Sequence, residues 1–189
     1  MKKIVIYDST LRDGAQGKNI SYTVHDKIKI ARKLDELGVD FIEAGNPGSN
    51  PKEIGFFEEL KGMHFKHARI VAFGSTRRPG ISPEEDLNIH NLLMAGTEWV
   101  AIFGKSWDDQ VLNILKTSLS ENLAMISSTV EYLKSKNKKV VFDAEHFFDG
   151  YRANPGYAME TLQAAVQAGV DSLCLCDTRG GTFPGDIFE

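Results

Sequence analysis

A short apolar run, Ile4-Val5-Ile6-Tyr7, breaks into Asp8-Ser9-Thr10-Leu11-Arg12-Asp13-Gly14-Ala15-Gln16. This places one guanidinium beside two carboxylates at a single strand tip, where parallel α/β proteins collect their reactive groups. Arg12 is permanently charged and fork-shaped, so it can face a carboxylate or a developing oxyanion. On residue types alone, Arg12 and Asp13 are equally well read as a structural ion pair. Asp8 has two readings: it closes the turn through hydrogen bonds, or it orients Arg12. Gln16 is a hydrogen-bond donor within the same loop. Other strand ends carry chemistry too. Glu43 ends a second apolar run, and Glu145 stands in Asp143-Ala144-Glu145-His146-Phe147.

The elements that must position these groups recur regularly. Strand-like runs are read at 4–7, 40–44, 69–73, 99–103, 139–143 and 172–176. Their starts lie roughly 30 to 40 residues apart, the length of a strand plus a crossover helix. The segments between them have helical period: Ile28, Ile30, Ala31, Leu34 and Leu37 form one apolar stripe that ends at Gly38. Pro51 opens a helix over 52–61, and Asn154-Pro155 opens one over 156–168 before Gly169. Ser82-Pro83-Glu84-Glu85 reads as a further helix start. The longer 108–136 segment reads as two helical pieces broken near Ser118–Ser120.

Alternating strands and helices predict a parallel sheet with right-handed crossovers. Polar or glycine-rich groups at every strand end favour an α/β barrel over a doubly wound sheet, which loads only its switch-point loops. No Gly-x-Gly-x-x-Gly follows the first strand, so nothing supports a dinucleotide site. The fold class expected is an incomplete (β/α)8 TIM barrel, with about six of eight strands in one domain over 1–189.

Bulk properties narrow the function. The 189 residues carry a net charge of −4, with 42% hydrophobic and 25% charged residues. An acidic balance argues against nucleic acid or an anionic membrane surface as partner. Met1-Lys2-Lys3 precedes only a strand-length apolar run, and no run is long enough to span a bilayer, so a cytoplasmic protein is expected. Cys174 and Cys176, two residues apart on a strand, read as buried small hydrophobes. His25, His64, His67 and His90 read as surface residues, and His146 as a packing or hydrogen-bonding one. Arg77, Arg78 and Lys105 are either phosphate contacts or solvated cations.

Asp8–Gln16 resembles the signature of the Asp-Arg-Glu barrel metallolyases, the group containing 2-isopropylmalate, homocitrate and citramalate synthases and 3-hydroxy-3-methylglutaryl-CoA lyase. The resemblance continues through Lys33–Glu43. Gly45-Asn46-Pro47-Gly48-Ser49-Asn50-Pro51-Lys52, Ala72–Arg78 and Ile102–Asp108 are similar to the citramalate synthase branch. Ala15, where many relatives carry Glu, is compatible with that branch.

The resemblance implies an acyltransferase that condenses acetyl-CoA with pyruvate to give citramalate, toward isoleucine. 2-Isopropylmalate and homocitrate synthase are the alternatives. It implies a divalent metal ion (Mg, Mn or Zn) with Asp13 as a ligand. Arg12 and Glu145 take the catalytic roles, and Arg12, Gln16, Glu145 and Thr178 contact substrate. Phe142, Phe147 and Phe148 would desolvate Glu145 and suit it to proton transfer, the other reading being a salt-bridged strand end. A small pocket near Phe73 and Phe103 would favour pyruvate. The family completes its metal site with a His-x-His pair, which this sequence lacks. The chain is therefore expected to be an amino-terminal piece of a longer enzyme, homodimeric at full length and inactive alone. A non-catalytic half-barrel assembly module is the reading from another class.

Overall fold

The structure is a computed structural model that describes residues 4–188. Met1-Lys2-Lys3 and Glu189 lie outside them. The elements run β1 Tyr7–Asp8, α1 Val24–Leu37, β2 Phe41–Gly45, α2 Pro51–Leu60, β3 Arg69–Ser75, α3 Leu87–Met94, β4 Trp99–Lys105, α4 Asp108–Gln110, α5 Leu119–Ser135, β5 Lys139–Glu145, α6 Phe147–Ala153, α7 Pro155–Gln167, β6 Ser172–Leu175 and α8 Pro184–Phe188.

Strand order follows chain order, β1-β2-β3-β4-β5-β6, and β1–β2, β2–β3 and β5–β6 are parallel. A doubly wound sheet reverses its order at a switch point. Here every strand adds beside its predecessor, which is how a (β/α)8 barrel is wound. Six strands lie among the described residues, against the eight of a complete barrel.

The chain divides into two compact units, residues 1–74 with 90–101 and residues 75–89 with 102–189. Buried side chains of the first include Ile42, Phe56, Phe57, Val71 and Leu92, and those of the second Ile102, Ile126, Leu133, Val140 and Phe142. Strands buried on both faces read as continuous apolar runs, as Val140-Val141-Phe142 does.

Helix starts obey local capping chemistry. Thr23 and Asp26 form a reciprocal capping box on α1, which Gly38 ends at φ +85°. The side chains of Asn50, Ser118 and Asn154 accept from Glu53, Glu121 and Tyr157 backbone N–H groups at the starts of α2, α5 and α7. The break expected near Ser118–Ser120 is thus the cap of α5, preceded by α4 and a π-helical turn over Val111–Leu115.

Three expectations need correction. The first strand is shorter than 4–7: the Ile6 carbonyl accepts from both Asp40 N and Phe41 N, so regular pairing begins only at Tyr7. Ser82–Glu85 is a turn rather than a helix start, with Glu85 N donating to Ser82 O. The start of α3 is set instead by the fully buried Asp86, which accepts from Asn88 N at 2.8 Å and Arg78 N at 2.8 Å. Finally, among the described residues Cys174 is exposed and Cys176 only partly covered, where β6 pairs with β5.

Asp35, near the end of α1, accepts from three consecutive backbone amides, Lys66, His67 and Ala68, at 2.7–2.8 Å, tying the approach to β3. Burial pushes its carboxyl up, but the amides outweigh it and hold it below the usual range. Asp35→Ala should cost about 2 kcal/mol in urea unfolding by stripping these charge-assisted bonds. A carboxylate with a depressed folded pKa stabilises above its unfolded value, near pH 4, and loses that contribution as pH falls below it. Asp35→Asn should therefore flatten the acid limb of the stability curve.

Candidate active site

The strand tip of β1 is a tight turn built by its own side chains. Asp8 accepts from Thr10 N at 3.0 Å and Thr10 Oγ1 at 3.1 Å, and Arg12 N donates to Ser9 O. Asp8 therefore closes the turn, and the role of orienting Arg12 falls to Glu43. This carboxylate, on β2 and 1% exposed, accepts from Arg12 Nε at 2.5 Å and from Tyr7 OH at 2.9 Å. The Phe73 ring supports the guanidinium carbon at 4.0 Å. A planar cation held by a carboxylate and an aromatic face has few rotamers left. Burial raises the Glu43 carboxyl above its usual range; Arg12 and Tyr7 pull it down without cancelling that, and Asp13 adds to the rise.

Asp13 faces solvent. Its side chain is 67% exposed, and Oδ1 meets Arg12 Nη1 at 3.0 Å. One carboxylate supplies hard oxygen suited to Mg, Mn or Zn. Among the described residues, the one cluster of three or more potential ligands is Asp143, Cys174 and Cys176, which excludes Asp13. Asp13 thus fits as a single ligand.

Arg12 and Gln16 line a cavity of about 330 Å³ with Tyr22, Lys27, Lys52 and Phe73. Its charged lining is Arg12, Lys27, Lys52 and Glu53, with Lys27 matched by Glu53 and Arg12 by Glu43. Lys27 and Glu53 are buried against each other at 2.6 Å, and the Lys27 ammonium also donates to Ala44 O. Desolvation lowers the Lys27 ammonium, and the Glu53 pairing opposes this. Gly45 sits at φ +146°, where a side-chain carbon would collide with Glu53 Oε2, so only glycine passes β2 over this pair.

The second unit holds the other expected residues. Glu145 ends β5 and pairs with Lys105 of β4, Nζ to Oε2 at 2.5 Å. The salt-bridged reading of Glu145 is therefore what the geometry displays. Thr178 accepts from His146 N at 2.8 Å through Oγ1, which leaves its hydroxyl hydrogen available to a ligand. His146 adopts φ +58°, with Nδ1 3.3 Å from Asp149. It is a hydrogen-bonding residue, as read from sequence. Asp177 accepts from Gly181 and Thr182 and is a turn residue.

Of the two cations at 77–78, Arg77 is structural while the Arg78 side chain is 60% exposed. Arg77 is buried, donating to Ser128 at 2.8 Å and Glu121 at 2.7 Å, and Arg78 pairs with Asp86. Neither solvation nor phosphate binding describes Arg77. His25, His64, His67 and His90 are exposed, as expected. Sequence reading places Glu43 only at a strand end and assigns nothing to Lys27–Glu53. A charged pair spread over α1 and α2 leaves no local signature.

Tyr7→Phe removes one of two donors to a buried carboxylate and should cost about 1 kcal/mol in urea unfolding. It should also raise the Glu43 carboxyl further, detectable by side-chain carbon NMR titration.

Over 184 residues the chain is 58% identical to an (R)-citramalate synthase from Synechocystis sp., a match covering 97% of the chain and 34% of that protein. It is 54% identical over 188 residues to an (R)-citramalate synthase from Aquifex aeolicus, covering 100% and 36%. The chain thus spans about a third of the length of these relatives. Among solved structures, an HMG-CoA lyase from Bacillus subtilis aligns with a TM-score of 0.78 at 20% identity, covering 99% of this chain and 62% of that one. That likeness supports the barrel winding inferred from strand order. With residues 3–189 matching its family pattern, the chain belongs to the HMGL-like family.

Proposed function

We propose that the chain is the amino-terminal part of a catalytic barrel that condenses acetyl-CoA with pyruvate to form citramalate. The observation that carries this is an Arg12 clamped by buried Glu43 and Phe73 beside an outward Asp13, in a chain 54–58% identical throughout to (R)-citramalate synthases.

Each residue takes one role in this reading. Arg12, immobilised through Nε and stacked on Phe73, presents its remaining N–H groups to the keto acid oxygen that becomes an alkoxide. Asp13 would give a carboxylate oxygen to Mg, Mn or Zn, and a bound ion would polarise the keto carbonyl. The acetyl methyl C–H breaks, its proton passing to Glu145, and the electron pair left on carbon forms the new C–C bond to the keto carbon. The carbonyl pair moves onto the oxygen beside Arg12 and takes a proton from solvent. Water then cleaves the thioester, giving the second carboxylate of citramalate and the free thiol of CoA. Lys105 engages Glu145 Oε2, so Oε1 is the oxygen that accepts the proton. Thr178 donates its hydroxyl to the keto acid carboxylate, and Gln16 adds a donor at the cavity wall. Phe73 supplies an apolar wall to the cavity that Arg12 and Gln16 line, which favours a methyl over larger side chains.

No helix among the described residues is long and apolar enough to cross a membrane. The proposal includes a cytoplasmic setting, a homodimer at full length, small-molecule rather than nucleic-acid partners, and no turnover by the 189 residues alone. 2-Isopropylmalate and homocitrate synthesis differ only in the keto acid, and a non-catalytic half-barrel would show no turnover at any length.

The test is acetyl-CoA-dependent thiol release by the full-length protein with pyruvate, 2-oxoisovalerate and 2-oxoglutarate in turn. Pyruvate should be used in clear preference, and Arg12→Lys should lower kcat by about 10²–10³-fold with circular dichroism unchanged. Preference for either larger keto acid, or an Arg12→Lys variant of full activity, would overturn the reading.

A further inference from the structure

Cys174 and Cys176 are not the inert buried thiols that their spacing suggested. On β6 they point to one face, as residues two apart on a strand must. Cys174 is in register with Asp143 of the neighbouring parallel strand β5. The two Sγ atoms lie 3.8 Å apart, and both fall within 4.8 Å of an Asp143 carboxylate oxygen and of one another. Asp143 is buried and Cys176 is more covered than Cys174 among the described residues, so the cluster rests on the sheet formed by β5 and β6.

The spacing carries a quantitative meaning. Zinc binds thiolate sulfur at about 2.3 Å in tetrahedral geometry, so two sulfurs sharing one ion lie about 3.8 Å apart. The structure already holds that separation. With a zinc–oxygen distance of about 2.1 Å, the sulfur–oxygen edge is about 3.6 Å, inside the 4.8 Å span of the cluster. A disulfide needs the sulfurs at about 2.05 Å, nearly half their present distance, and would buckle an extended strand.

We propose that Asp143, Cys174 and Cys176 form a preorganised site for a thiophilic divalent cation, zinc by preference. The two thiolates and one carboxylate oxygen occupy three tetrahedral positions, and solvent takes the fourth. On binding, both S–H bonds break, their protons pass to solvent and each sulfur lone pair forms a metal bond, with no change of oxidation state. Two soft ligands select against Mg and Ca and toward Zn, Co and Cd. The assignment goes beyond the condensation reaction and does not depend on it.

Cobalt reports this site directly, since only thiolate ligation gives an intense sulfur-to-metal charge-transfer band. The reduced full-length protein, kept under a phosphine reductant without oxygen, is titrated with Co²⁺. The thiolate band should rise to saturation and vanish when Zn²⁺ is added. Cys174→Ser and Cys176→Ser should each weaken Co²⁺ binding by more than about a hundredfold, beyond the loss typical of a supporting residue. Asp143→Asn should weaken binding while keeping the band. Far-UV circular dichroism confirms that each variant is folded, and the wild-type titration stands without them. Absence of a charge-transfer band in the wild-type protein at saturating cobalt overturns the proposal. So does a band that survives Cys174→Ser/Cys176→Ser.

Discussion

The first unit turns on one ion pair, the buried Glu43 carboxylate against the Arg12 guanidinium. A carboxylate 1% exposed is costly to bury, and its raised pKa reports that cost. Arg12 and Tyr7 are the partners that make the charge tolerable there. The same contacts fix Arg12 over Phe73 and align it with the outward Asp13. Stability and preorganisation therefore share one arrangement: the group that would meet an oxyanion is held because a buried charge requires it.

Buried charge recurs as a positioning device. Lys27 and Glu53 pair behind the cavity lined by Arg12 and Gln16. In the second unit, Lys105 holds Glu145 at the end of β5. In each case a strand end or its adjoining helix contributes one charge and a neighbouring element the other. Parallel winding brings such ends together in chain order, which suits the strand order of this family's barrel.

Much of this was legible in the residues. The β/α alternation, the helix ends at Gly38 and Gly169, and the caps at Asn154 and near Ser118 rest on local chemistry that spacing reveals. The strand-tip motif with Arg12 and Asp13 was legible for the same reason. What escaped was non-local. Asp86 caps α3 because it is buried against Arg78, so the Ser82–Glu85 pattern was overruled. Asp8 was spent on Thr10, and Glu43 took its place at Arg12. Arg77 looked like a surface cation, yet Ser128 and Glu121, some 50 and 44 residues away, enclose it. Cys174 and Cys176 looked inert because Asp143, in register on the next strand, cannot be seen from their spacing.

The direct measurement is a double-mutant cycle between Arg12 and Glu43, using Arg12→Met, Glu43→Gln and the combined variant in urea unfolding. An arrangement in which the buried carboxylate and the guanidinium support each other predicts a coupling energy of about 2 kcal/mol or more. A coupling near zero would show that Glu43 does not hold Arg12, and the account of a preorganised strand tip would fail with it.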